Sequence, residues 1–164
     1  LTKTQGKVLK RGYAICTEFS PRYQGYYGHF SWPLVVGGNR AYEDLFAAAQ
    51  ESYFAGLSVL KPGISGEDLW QAFNKPVAAR GYVWGGPRPG DENGGHGPYF
   101  HGIGLAWDPP RREAKEIKAG MTIAFEPGAA TGDGKKGLHV GDVVVVTESG
   151  CRRLGRHPLE LMIV

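Results

Sequence analysis

An α+β fold, with an antiparallel-rich sheet and helices on one face, is what this sequence predicts, on three observations. Two β-rich segments lead the chain, two stretches of helical periodicity follow, and short β segments fill the remainder. This segregation is the mark of an α+β layer arrangement, not of alternating βαβ units. Gly95-His96-Gly97 and Gly102-Ile103-Gly104 also fail to form a glycine fingerprint between a strand and a helix, which argues against a dinucleotide or phosphate site.

The elements follow in chain order. Val8 to Phe19 is apolar and β-rich, with Arg11-Gly12 as a break, and reads as a strand. Tyr23 to Val36 reads as a second strand, a hairpin partner to the first across Ser20-Pro21-Arg22, with Pro33 marking an edge or the end of pairing. Asn39 is a helix cap, and Leu45, Ala48, Ala49, Ser52, Tyr53, Gly56, Leu57 and Leu60 recur at helical spacing until Lys61-Pro62-Gly63 stops them. Ser65, with Asp68 three residues on, starts a second helix carrying Leu69, Trp70, Phe73 and Val77. Pro76 sits inside it, so a kink or break is expected near Asn74. A stretch dense in glycine and proline, Gly85 to Gly104, reads as a loop within one domain. Short strands are then expected at about 100–105, 121–126, 137–147 and 151–154, and residues 1–164 are taken as a single domain.

Composition narrows the function. With 41% apolar and 21% charged residues the chain is globular and not disordered. Its net charge of +3 comes from scattered basic pairs, not from a stripe, so no nucleic-acid partner is expected. No apolar run approaches the roughly 20 residues that span a bilayer, so no membrane partner is expected either. Two cysteines, Cys16 and Cys151, make no disulfide scaffold, and Cys16 reads as an inert buried thiol. A cytoplasmic protein is the expectation.

Three places put chemistry-bearing residues in apolar or glycine-rich surroundings. His101 is flanked by small residues in Phe100-His101-Gly102-Ile103-Gly104, which leaves an open approach to the imidazole. Glu126 ends an apolar strand, where a buried carboxylate needs a cation, a metal or a proton. Glu18 and His29 face each other across the expected hairpin. Each also has a plainer reading: a structural histidine, a solvated strand end, an exposed polar pair. Two histidines and two glutamates form a mixed nitrogen and oxygen donor set for a metal. His96, His139 and His157 are less committed, and Trp107 is a pocket wall more readily than a chemical group.

These segments resemble, in order, the pita-bread metallopeptidases: aminopeptidase P, prolidase, methionine aminopeptidase and the related creatinase. Gly12-Tyr13-Ala14-Ile15-Cys16-Thr17-Glu18 sits where that family has a strand ending in a metal-binding Asp. Tyr23-Gln24-Gly25-Tyr26-Tyr27-Gly28-His29 is similar to the segment that supplies the second Asp. Leu60-Lys61-Pro62-Gly63-Ile64-Ser65, Phe100-His101-Gly102-Ile103-Gly104-Leu105, Gly120-Met121 through Glu126-Pro127-Gly128, and Gly137 to Gly150 complete the match. The resemblance implies a curved sheet forming the C-terminal part of a pita-bread fold, the N-terminal part being absent.

The departures fall on the ligands themselves. Where the family has Asp, Asp, His, Glu and Glu, this chain has Glu18, His29, His101, Glu126 and Gly141. Two bridging carboxylates are lost, so a dinuclear site is not expected. Either no metal or a single Mn²⁺ or Zn²⁺ on Glu18, His29, His101 and Glu126 is. The family's further histidines fall at Gly97, or at His96 with a one-residue slip, and at Trp107 or Asp108. The resemblance implies a homodimeric hydrolase of a C–N bond in a peptide, an amide or a guanidino compound. In it His101 and Glu126 would be catalytic, and Glu18, His29, His96, Trp107 and His139 would line the substrate pocket. The alternative is a non-catalytic member of the same fold that binds a peptide, a small ligand or a protein partner.

Overall fold

The computed structural model describes residues 6, 8–84, 99–106 and 110–164. The glycine-rich stretch 85–98 therefore lies outside the described residues, as do His96 and Trp107.

Five short strands come first: β1 (Ala14–Ile15), β2 (Arg22–Tyr23), β3 (Tyr26–Tyr27), β4 (Phe30–Ser31) and β5 (Leu34–Val35). The two long strands expected over 8–19 and 23–36 are thus broken up, and local backbone chemistry accounts for it. Gly12 takes φ 86, a left-handed conformation that halts the first strand before Ala14. Gln24 and Gly25, at φ 48 and 92, form the two-residue turn of a β2–β3 hairpin, a turn that needs positive φ at both positions. Pro33 has no N–H to donate, and pairing changes there: β4 joins β10 (Gly141–Val146), while β5 joins β1 and, in parallel, β12 (Met162–Ile163). The expected pairing of the first segment with the second survives in the Ala14–Val35 register and the Phe19–Phe30 bridge.

Helix α1 (Arg40–Val59) starts where Asn39 caps it, its side chain accepting from Ala41 N, and Glu43 accepts in return from Asn39 N. Its buried face, which includes Leu45, Ala48, Ala49, Tyr53 and Gly56, meets α2 (Gly66–Ala79). The two helices touch most closely at Gly56: a β-carbon there would stand 2.2 Å from the Phe73 ring. Helix α2 is capped by Ser65 and runs unbroken through Pro76, so of the kink or break expected near Asn74 the break does not form. Pro76 lacks the N–H that would meet the Ala72 carbonyl. The next carbonyl, Phe73 O, accepts a buried hydrogen bond from Ser52 Oγ of α1 at 2.7 Å, so tertiary packing ties down the turn that the proline weakens.

Strands β6 (Phe100–Gly102), β7 (Thr122–Phe125), β10 (Gly141–Val146) and β11 (Cys151–Arg153) form the main sheet in the order β11-β10-β7-β6, with β4 paired to the start of β10. Strands β8 (Gly128–Ala130) and β9 (Gly137–His139) make a hairpin packed against α1. Phe73, Phe100, Phe125, Tyr53 and Tyr99 build the core between helices and sheet, with Phe73 edge-on to Phe125 at 4.8 Å.

Replacing Gly56 with Ala forces this interface apart, and the expected loss is about 1–3 kcal/mol. Gly150→Ala is the control, because a β-carbon there meets nothing within 4 Å. Urea unfolding of both variants checks this: equal midpoints would show that the helices do not pack at Gly56.

Candidate active site

The sheet register assembles the site. His101 pairs with Ala124 across β6 and β7, and Ala124 pairs with Val143 on β10, so these three side chains share a face. Glu126, two residues past Ala124, and Gly141, two before Val143, continue that face, and Ser31 stands opposite Gly141 on β4. His29, two residues before Ser31, completes it. Phe100 and Phe125 take the opposite face and enter the core, which fixes the direction of their neighbours.

The backbone of Glu126 is pinned on both sides. Its N–H donates to Tyr99 O at 2.7 Å, and its carbonyl accepts from Trp84 Nε1 at 3.1 Å. Its carboxylate is buried, 6% exposed, so the solvated strand end considered from sequence is not what forms. Oε1 lies 2.9 Å from His29 Nε2 and 3.4 Å from His101 Nε2, and both rings are buried. Burial alone would raise the Glu126 carboxyl, but the two imidazoles against it, His101 and His29, outweigh burial and hold the group down at about 2. Burial likewise works against protonating His101, yet Glu126 and the Gly102 carbonyl together push its imidazole up from the ordinary value. His101 Nδ1 lies 2.8 Å from Gly102 O, which assigns the proton to Nδ1 and turns Nε2 towards Glu126.

Glu18 enters from the loop after β1. Donor atoms of Glu18, His29 and Glu126 all lie within 4.8 Å of one another. The expected meeting of Glu18 and His29 across the first pairing therefore occurs. His139, on β9, lies 3.9 Å from Glu18 Oε2 through Nε2 and 3.1 Å from Cys16 Sγ through Nδ1. Cys16 was the residue that sequence reasoning misplaced: it is an exposed free thiol, not a buried one. Its position two residues before Glu18 was the signal that puts it at this pocket. Burial holds the His139 imidazole below its ordinary value, against the pull of Glu126 and Glu18.

Do these residues fit a metal ion? His29 Nε2 and Glu126 Oε1 are buried and within ion-pair distance, yet neither is aligned for a hydrogen bond. Buried polar atoms left in that state point at a shared third partner. With Glu18 beside them, they fit one divalent ion on nitrogen and oxygen donors. Position 141 adds no ligand. A β-carbon there would stand 2.6 Å from Phe125 O, 3.3 Å from Ser31 Oγ and 3.5 Å from His29 Nε2, so the ring of His29 and the Ser31 hydroxyl crowd the room a longer side chain would need.

The profile of metallopeptidase family M24 matches residues 2–148. The chain belongs to metallopeptidase family M24. It is 25% identical to the uncharacterized peptidase YqhT of Bacillus subtilis over 96% of its own length and 43% of that protein's. It is 26% identical to the Xaa-Pro dipeptidase of Pyrococcus furiosus over 95% of its length and 43% of the relative's. The prolidase structure from Thermococcus sibiricus superposes with a TM-score of 0.84 over 100% of this chain and 43% of that one, at 19% identity. The M24 chain therefore has the pita-bread fold, and it spans less than half the length of these two curated relatives. Among the described residues, no helix is long and apolar enough to cross a membrane.

The lowered Glu126 carboxyl links folding to pH. An unfolded glutamate titrates near about 4.3. A folded value of about 2 gives stability that is full above the unfolded value and lost as pH falls from about 5 towards 2. Glu126→Gln is expected to flatten this acid limb in thermal unfolding scanned from pH 7 to pH 3; an acid limb of unchanged slope would show that Glu126 does not carry it.

Proposed function

We propose that this chain carries the catalytic region of a hydrolase that cleaves a C–N bond in a peptide, a small amide or a guanidino compound, with a single divalent ion, Mn²⁺ or Zn²⁺, at its centre. The observation that carries the reading is the convergence of His29 Nε2 and Glu126 Oε1, buried and 2.9 Å apart without a hydrogen bond, with a Glu18 donor atom within 4.8 Å. Family membership supplies the reaction class, and fold alone would not.

Glu18, His29 and Glu126 would hold the ion. A divalent ion supplies Lewis-acid polarisation of a carbonyl and lowers the pKa of water. The chain's own groups do the rest. Glu126 remains ionised throughout the neutral range and so sets a fixed negative charge at the pocket floor. His101 donates through Nδ1 to Gly102 O, and in its imidazolium form, which Glu126 favours, it would offer the Nε2 proton to the leaving nitrogen. His139 stands beside Glu18, 3.9 Å from its carboxylate. His96 and Trp107 are proposed to line the same pocket on the sequence resemblance, and so is His139.

The second reading, a non-catalytic binder of the same fold, draws on Gly141, where a ligand carboxylate has no room. Turnover separates the two. The full-length protein, loaded with Mn²⁺ or Zn²⁺, is assayed against Xaa-Pro dipeptides, short peptide amides and a guanidino acid. His101→Ala is expected to lower turnover on the order of 10²–10⁴-fold while leaving the thermal midpoint within a few degrees. No product from any of these substrates, or equal turnover by the variant, rules the hydrolase out in its proposed form.

A further inference from the structure

The chain that leads into β4 sets one more side chain beside the proposed ion site. Phe19 and Phe30 exchange both backbone hydrogen bonds, at 2.9 and 3.0 Å, and their rings stack with centres 4.9 Å apart. The same register continues into the β2–β3 hairpin: Gly28 N donates to Pro21 O at 2.8 Å, and Arg22 stands opposite Tyr27. Ser20 and His29 therefore lie directly opposite each other, in the non-hydrogen-bonded position that brings side chains closest. Side chains alternate along an extended chain, so Ser20 shares the face of Glu18, two residues before it.

Ser20 Oγ lies 3.4 Å from His29 Nδ1. Which of the two donates follows from the other side of the ring. A proton on Nε2 would be a buried donor 2.9 Å from Glu126 Oε1 and yet out of line for a hydrogen bond, and an orphaned buried donor is costly. A proton on Nδ1 has an acceptor in the Ser20 hydroxyl. The His29 side chain is 0% exposed, so bulk water does not serve Nδ1 in its place. With the proton on Nδ1, the Nε2 lone pair is left beside Glu126 Oε1, where the article's ion donors gather.

We infer that Ser20 is a positioning residue for the ion site: its hydroxyl accepts the hydrogen bond from His29 Nδ1, fixes that tautomer and so presents the Nε2 lone pair to a divalent ion. The inference rests on the single-ion reading above, and Ser20 acts only through His29. A histidine that gives electron density to a metal through one nitrogen becomes a stronger donor through the other. The contact is long for a hydrogen bond at 3.4 Å, and ligation strengthens it. Removing an outer partner of this kind typically weakens metal binding about 10- to 100-fold.

Two readouts test this, and neither is turnover. Zn²⁺ and Mn²⁺ are titrated by calorimetry into the metal-free full-length protein and its Ser20→Ala, Ser20→Thr and Ser58→Ala variants. Ser58 is the control, an exposed serine of α1 that donates to Ala55 O. Ser20→Ala is expected to bind the ion about 10- to 100-fold more weakly, while Ser20→Thr, which keeps the hydroxyl, and Ser58→Ala stay close to the wild type. The urea midpoints of all four should agree, which separates positioning from a loss of fold. Nitrogen-15 NMR of the metal-free protein, at a pH where its imidazoles are neutral, should show His29 as the Nδ1–H tautomer in the wild type and in Ser20→Thr. In Ser20→Ala the Nε2–H tautomer should appear. Equal ion affinity in Ser20→Ala, or an Nε2–H tautomer in the wild type, overturns the role of Ser20 and leaves the ion reading standing. A wild type that binds neither ion overturns both.

Discussion

Glu126 is a charged carboxylate set at the end of an apolar strand, and the groups that offset its burial are two imidazoles, His29 at 2.9 Å and His101 at 3.4 Å. Removing an ion from water costs several kcal/mol even after the protein relaxes, so a buried carboxylate needs strong countercharge or a metal. No lysine or arginine among the described residues supplies it. The three side chains come from β6, the end of β7 and the segment before β4, and the β10 register sets their spacing. The main sheet, the Tyr99 and Trp84 bonds to the Glu126 backbone, and the Gly102 bond to His101 all act to hold this one group still.

The same constraint explains the glycine at 141. Gly141 lies opposite Ser31 and beneath His29, and a β-carbon there would already press on the Phe125 carbonyl. An imidazole at 29 and a carboxylate at 141 compete for one space. In this chain the imidazole occupies it. Two divalent ions require more carboxylate than Glu18 and Glu126 provide, whereas one ion does not.

Much of this was legible in the sequence because it depended on local signals. Asn39 and Ser65 as caps, Pro62-Gly63 as a stop, and the strand content of 122–125 and 141–146 all follow from propensity and period, which tertiary contacts did not override. Glu18, His29, His101 and Glu126 were each identified by residue type and setting before their meeting was known. What escaped depended on contacts distant in sequence. Pro76 allows a break from sequence alone, as well as a kink, because the Ser52 hydroxyl that steadies α2 lies on another helix. The long strand over 23–36 was read from its aromatic residues, whereas the Gln24-Gly25 turn and Pro33 divide it among three sheets. Cys16 was read as buried from its apolar neighbours, but the chain leaves β1 just before it.

The number of divalent ions bound per chain tests the central claim most directly. The full-length protein is dialysed mildly and its metal content measured by elemental mass spectrometry, with Glu126→Ala alongside. One equivalent of Mn or Zn, absent from the variant, is what a site built on Glu18, His29 and Glu126 predicts. Two equivalents, or an equal content in the variant, would contradict it.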